Sequence, residues 1–158
     1  MASTAPGADA VWASARSALA TPDVADPLVR ERGTAGAPIA IETPPGVAGA
    51  SRPVGWFVPV IVDDLIAGFF VFDHDGALRR WSTFQRHPGD LKDCPAAASW
   101  LSPAVIIDTA RRSGVAGEPG VPYLSYDRVP DRLAWIVPFP AAAVYVAGAA
   151  FWRAPAPL

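Results

Sequence analysis

The sequence predicts one α+β domain over residues 1–158, in which a mostly antiparallel sheet carries two helices packed on one face. We expect the sheet to hold a meander of about three central strands and further strands near the C-terminus. Three observations support this fold class: alternating apolar runs between Val54 and Phe84, an amphipathic segment on either side of them, and an uncharged C-terminal stretch interrupted by proline.

Composition excludes several classes of protein. The chain is 51% hydrophobic and 18% charged with a net charge of −2, which is too apolar for a disordered chain. A single cysteine, Cys94, excludes a disulfide scaffold. Near-neutral charge gives no general attraction to nucleic acid or acidic membranes, so we expect neither as a partner. Twelve Arg against one Lys, with 31 Ala, indicate a high-GC bacterial genome.

The first helix is predicted over Asp9–Ala20. Its apolar residues recur at helical spacing, and Asp9 suits the first turn. We expect Trp12 to face the core. Thr21-Pro22 ends the helix, because the residue before a proline disfavours helical backbone.

Residues 21–53 are predicted as a loop-rich excursion with one short edge strand at Ala37–Glu42. Ile39 and Ile41 share one face of that strand, and Pro38 limits its pairing. Proline and glycine then dominate Thr43–Gly49, which is typical of a flexible connection.

The meander is predicted from three consecutive runs. Val54–Val62 alternates with period two and ends at Asp63-Asp64, and Ile66–Phe72 is a second apolar run. Asp73-His74-Asp75-Gly76 has the composition of a tight turn, and a third strand over Ala77–Phe84 exposes Arg79 and Arg80.

A second helix is predicted from Ser102-Pro103, a cap followed by a first-turn proline, to Gly114. Its apolar side holds Val105, Ile106, Thr109 and Ala110. We expect this side to pack on the meander face that carries Trp56.

Three strand-like runs follow: Val121–Tyr126, Leu133–Val137 and Val144–Phe151. The stretch at 133–152 is uncharged and long enough to span a membrane as a helix. Pro138 and Pro140 instead favour a buried hairpin, because each removes a helical donor. Met1–Asp9 has no secretory pattern, so we expect a cytoplasmic location.

Residues 87–94 hold the densest set of groups that could bind a metal or act on a substrate: His87, Asp90, Asp93 and Cys94. Zinc requires three or four such groups to converge, but this spacing matches no standard zinc site. Cys94 and His87 could also form a thiolate–imidazolium pair. We favour a solvated loop with a packed cysteine, and expect no metal and no cofactor.

Arg79, Arg80 and Trp81 place cations beside an aromatic ring, as contacts to phosphates or acidic partners require. Strand alternation puts Arg79 and Trp81 on one face and Arg80 and Phe84 on the other. This division weakens a single platform, and a solvated strand edge is the favoured interpretation.

We therefore expect a non-catalytic module that binds a protein or a small molecule, with a homodimer through an exposed strand edge left open. One alternative is a small-molecule-binding or enzymatic pocket protein that uses His87, Asp90 and Cys94. A second alternative is a membrane-associated accessory protein that uses residues 133–152.

Overall fold

A computed structural model describes residues 6–22, 24, 26–43, 53–127 and 132–153. The helices within these ranges are α1 (Ala8–Leu19), α2 (Pro27–Arg32), α3 (Ala97–Trp100) and α4 (Pro103–Arg111). The strands are β1 (Thr34–Ala35), β2 (Ile39–Glu42), β3 (Gly55–Val62), β4 (Leu65–Asp73), β5 (Leu78–Thr83), β6 (Tyr123–Tyr126), β7 (Leu133–Pro138), β8 (Ala143–Ala147) and β9 (Ala150–Arg153).

The mostly antiparallel α+β class is confirmed, but the sheet is larger than predicted. Nine strands and four helices lie in the described ranges, against an expected meander of about three central strands, one short edge strand, three C-terminal strand-like runs and two helices. The chain divides into two compact units, one of residues 1–40 with 53–97 and the other of residues 41–52 with 98–158.

The predicted meander is confirmed in the first unit, where β3 pairs with β4 and β4 with β5, both antiparallel. Val62 pairs with Leu65, so β3 and β4 are joined by the two-residue turn Asp63-Asp64. Both aspartates have positive φ, 51° and 64°. Such angles are those of a type I′ hairpin turn, whose twist matches that of the flanking strands.

Helix α1 packs on this sheet through Val11, Ala15 and Leu19, which are spaced four residues apart and are buried. The expectation that Trp12 faces the core is wrong, since Trp12 is 37% exposed. Its indole Nε1 donates to the carbonyl oxygen of Ala35 at 3.0 Å. A tryptophan N–H needs an acceptor, and this bond holds the ring at the border of the buried stripe.

The region 21–53 contains more regular structure than expected. Asp26 accepts a hydrogen bond from Leu28 N at 2.9 Å and Pro27 occupies the first turn, so α2 begins with a cap and a proline. The predicted short strand is β2, which begins directly after Pro38 and pairs in parallel with β6. The prediction that it is an edge strand is wrong, because it has a neighbouring strand on each side. Residues 44–52 of the predicted excursion lie outside the described residues.

The second unit contains the C-terminal hairpins. The predicted hairpin is confirmed, because β7 and β8 pair antiparallel; Pro138 belongs to β7, and the turn is formed by residues 139–142. The prediction of one strand over Val144–Phe151 is wrong: β8 and β9 form a second hairpin that turns at Gly148, with φ of 62°. Glycine adopts positive φ without steric cost, so Gly148 allows the chain to reverse between β8 and β9. No helix among the described residues is long and apolar enough to cross a membrane.

Helix α4 begins as predicted, because the Ser102 hydroxyl accepts a hydrogen bond from Val105 N. It buries Ile106, Thr109 and Ala110 and packs against β7, β8 and β9, whereas Val105, expected on the same side, is exposed. The prediction that its partner is the meander face with Trp56 is therefore wrong. The hairpins supply the apolar face to this helix from within the same unit.

Candidate functional site

The loop at residues 84–96 holds the predicted ligand residues but does not gather them around one point. No three His, Cys, Asp or Glu side chains in the described ranges are placed to hold a metal ion. Asp90 Oδ1 accepts from Lys92 N at 3.0 Å, and Asp93 lies 3.1 Å from Arg86 Nε. His87 is exposed, and its carbonyl oxygen accepts from Asp90 N at 3.0 Å. The two carboxylates thus stabilise the loop itself.

Cys94 is buried, which sets the chemistry of its thiol. Burial raises the pKa of Cys94 above its usual value, and the negative charges of Asp90 and Asp93 raise it further. A catalytic thiolate needs the opposite shift, usually from a neighbouring cation. Cys94 is therefore a protonated, packed side chain at neutral pH.

Gln85, which the sequence did not single out, holds the loop in place. Gly89 N donates to Gln85 Oε1 at 2.7 Å and to Asp26 Oδ2 at 3.1 Å. The same Asp26 carboxylate caps α2, so one side chain joins the loop to a helix start. At its far end the loop returns to the sheet, where Ile66 N donates to Pro95 O at 2.8 Å.

Strand β5, just before this loop, forms the end of the meander. Among the described residues it pairs with β4, with Val71 opposite Arg80 and Phe70 opposite Trp81. Phe84 N donates to Ala67 O at 2.9 Å. Along an antiparallel strand the backbone N–H and C=O groups of successive residues point to opposite sides. The backbone groups of Arg80 and Ser82 therefore point to β4, and those of Trp81 and Thr83 point away from it.

The two faces of β5 differ in chemistry. On one face Trp81 packs on the ring of Phe70, 4.9 Å between centroids, beside the core under α1. On the other face the Arg80 guanidinium lies 5.6 Å from the ring centroid of Phe69, and Arg80 Nη1 donates to Ser82 Oγ at 2.7 Å. The cation and the indole that are adjacent in sequence are thus held on opposite faces.

The two arginines are not equally exposed, contrary to the prediction. Arg79 is exposed and lies 3.8 Å from Asp73 Oδ1, whereas Arg80 is half-buried. A register shift between Val71 and Phe72 makes Arg79 the extra residue of a β-bulge. Sequence reasoning also missed Phe69, although successive strand side chains point to opposite faces, which puts Phe69 on the face opposite Phe70.

The second unit carries a stack of aromatic and charged side chains. Tyr145 and Trp152 lie nearly parallel with ring centroids 5.8 Å apart, and the Arg132 guanidinium lies 5.7 Å from the Trp152 centroid. Arg132 also forms an ion pair with the buried Asp127. Burial, helped by Tyr145 and a nearby carboxylate, raises the pKa of Tyr123. These groups already engage one another, which is the arrangement of a packed structural cluster.

Strand β5 presents backbone groups and positive charge at the end of the meander. It combines outward backbone donors and acceptors with two arginines, while Asp73 lies at the end of β4 and His74 and Asp75 lie in the turn before β5. A search of known protein families, curated proteins and solved structures finds no match to this chain.

Proposed function

We propose that this chain is a non-catalytic binding module that receives an extended segment of a protein partner as an additional strand beside β5. The observation that carries the proposal is the position of β5 at the end of the meander, with Trp81 and Thr83 directing their backbone groups away from β4. Strand addition uses such groups for affinity and the alternating side chains for specificity.

The surroundings of β5 support this proposal. The strand is six residues long, which is a usual length for a β-strand and enough to pair with an added segment. Its inner side is fixed by β4, and Thr83 Oγ1 also donates to Ala67 O at 3.2 Å. A preformed edge lowers the entropy lost on binding, because only the incoming segment must become ordered.

Amide hydrogen exchange tests the proposal. In the free chain the amides of Arg80 and Ser82 should exchange slowly, and those of Trp81 and Thr83 should exchange fast. A blocked hexapeptide of alternating Thr and Val, added at about 1 mM because short strands bind weakly, should slow the two outward amides.

The matched control is the same hexapeptide with methylated nitrogens along the edge that would face β5. It keeps the side chains but loses the donors, so it should leave the exchange of Trp81 and Thr83 unchanged. Equal protection by both peptides, or no protection by any extended peptide, would contradict strand addition at β5.

A further inference from the structure

We infer that the segment received by β5 alternates acidic and apolar residues, with its carboxylates on the Arg80 face and its apolar side chains on the Trp81 face. This inference rests on the proposed function and identifies the class of partner. It follows from the different chemistry of the two faces of one edge strand.

The first observation is the positive charge of β5. The six residues of β5 are LRRWST, so the strand has two arginines and no acidic residue. Arg80 extends along its own strand towards Ser82, where its Nη1 lies 2.7 Å from the hydroxyl. A residue opposite Ser82 on an added strand would have its Cβ about 5 Å away, on the same face. A carboxylate there would reach the guanidinium.

The second observation is the packing of Trp81 at the end of a row of core side chains. Val58, Phe70 and Trp81 lie opposite one another across three successive strands and form one row of the core under α1. Trp81 ends this row and is half-buried. An apolar side chain opposite Trp81 would extend the row by one residue and remove the remaining indole surface from water.

The same charges disfavour a second copy of the chain in this position. Antiparallel self-pairing centred on Arg80 would set two Arg80 side chains directly opposite each other. In every register it would bring the two Arg80 guanidinium groups onto adjacent strands, together with two Arg79 groups that each lie 3.8 Å from their own Asp73. Like charges on neighbouring strands destabilise the pairing, whereas an acidic segment neutralises them.

Three blocked hexapeptides test the inference, each alternating Val with Glu, Gln or Lys. Their dissociation constants are measured from the amide NMR shifts of Trp81 and Thr83. The Glu peptide should bind about tenfold more tightly than the Lys peptide. Raising the salt from about 0.05 M to about 0.5 M should weaken the Glu peptide selectively, because exposed charges are screened.

Variants locate the effect. Arg80→Gln should reduce the preference for Glu over Lys to about threefold or less, whereas Arg30→Gln, an equal loss of charge on α2, should preserve it. The salt dependence of the unaltered chain gives the same information if Arg80→Gln does not fold.

The outcomes separate this inference from the proposed function. Equal binding of the three peptides would overturn the acidic preference and leave strand addition standing. Failure of all peptides to slow the outward amides would overturn both. Protection of Trp81 and Thr83 that rises with protein concentration in the absence of peptide would identify a second copy as the occupant and overturn the inference.

Discussion

Gly68 is the position at which one added methyl group should most clearly test the packing of β5 on β4. A Cβ at this residue would lie 2.5 Å from the carbonyl oxygen of Ser82, and 2.5 and 2.6 Å from Cη2 and Cζ2 of Trp81. Gly68 pairs with Val60 on one side and Thr83 on the other, so its backbone cannot retreat without disturbing a neighbouring strand.

We expect Gly68→Ala to lower the free energy of unfolding by about 2–3 kcal/mol, at the upper end of overpacking costs. A gain of at most about 1 kcal/mol from reduced freedom in the unfolded chain opposes this loss. For a chain of this size the net loss of about 1–3 kcal/mol corresponds to a fall in Tm of about 2–12 °C. Urea unfolding followed by circular dichroism, with exchange of the β5 amides, measures it.

Two further variants make the result interpretable. Gly7→Ala is the control, because an added Cβ there has nothing within 4 Å, and its cost should stay below about 1 kcal/mol. Adding Trp81→Leu to Gly68→Ala should cost less than the sum of the single changes, since the ring contacts are then removed. A Gly68→Ala protein within about 0.5 kcal/mol of the parent would refute the described contact between β4 and β5.

Three other predictions concern the rest of the chain. Arg132→Ala should lower the free energy of unfolding in urea by about 2–3 kcal/mol, because it leaves the Asp127 carboxylate, 4% exposed, without its cation. Adding Asp127→Asn should restore part of this loss, and a loss under about 0.5 kcal/mol would show that the ion pair is dispensable. Cys94 should react with iodoacetamide more slowly than the unfolded chain at about pH 8.5, because its raised pKa leaves a smaller fraction of thiolate. The reaction should become faster at higher pH, and equal rates for the folded and unfolded chains would contradict the burial of Cys94. Ser102→Ala should cost about 1 kcal/mol through loss of the hydrogen bond from Val105 N, measured by thermal unfolding, and an unchanged Tm would contradict the cap.

Local signals were sufficient where a structure depends on residues close in the chain. The hydroxyl of Ser102 begins α4, and Pro140 lies in the turn at residues 139–142 of the β7–β8 hairpin. Both features follow from backbone donors and φ angles that the residue type fixes. The two-residue turn at Asp63-Asp64 belongs to the same class, because aspartate tolerates positive φ.

The candidate site was only partly predictable. The sequence placed Arg79, Arg80 and Trp81 on one strand and divided them between two faces. It could not show that a bulge displaces Arg79 or that Phe69 lies beneath Arg80. The raised pKa of Cys94 likewise depends on burial and on carboxylates whose positions follow from the folded loop.

The sequence by itself determined the α+β class, the meander, the C-terminal hairpin and the start of α4, since these depend on periodicity and on the conformational preferences of single residues. Tertiary structure alone decided that β2 pairs in parallel with β6, that α4 packs on β7, β8 and β9, and that Trp12 stays at the border of the core. These outcomes depend on which apolar faces meet across long chain separations. Burial of apolar surface drives that choice, and because the hydrophobic effect is not directional, the pattern of one segment does not show which other segment will cover it.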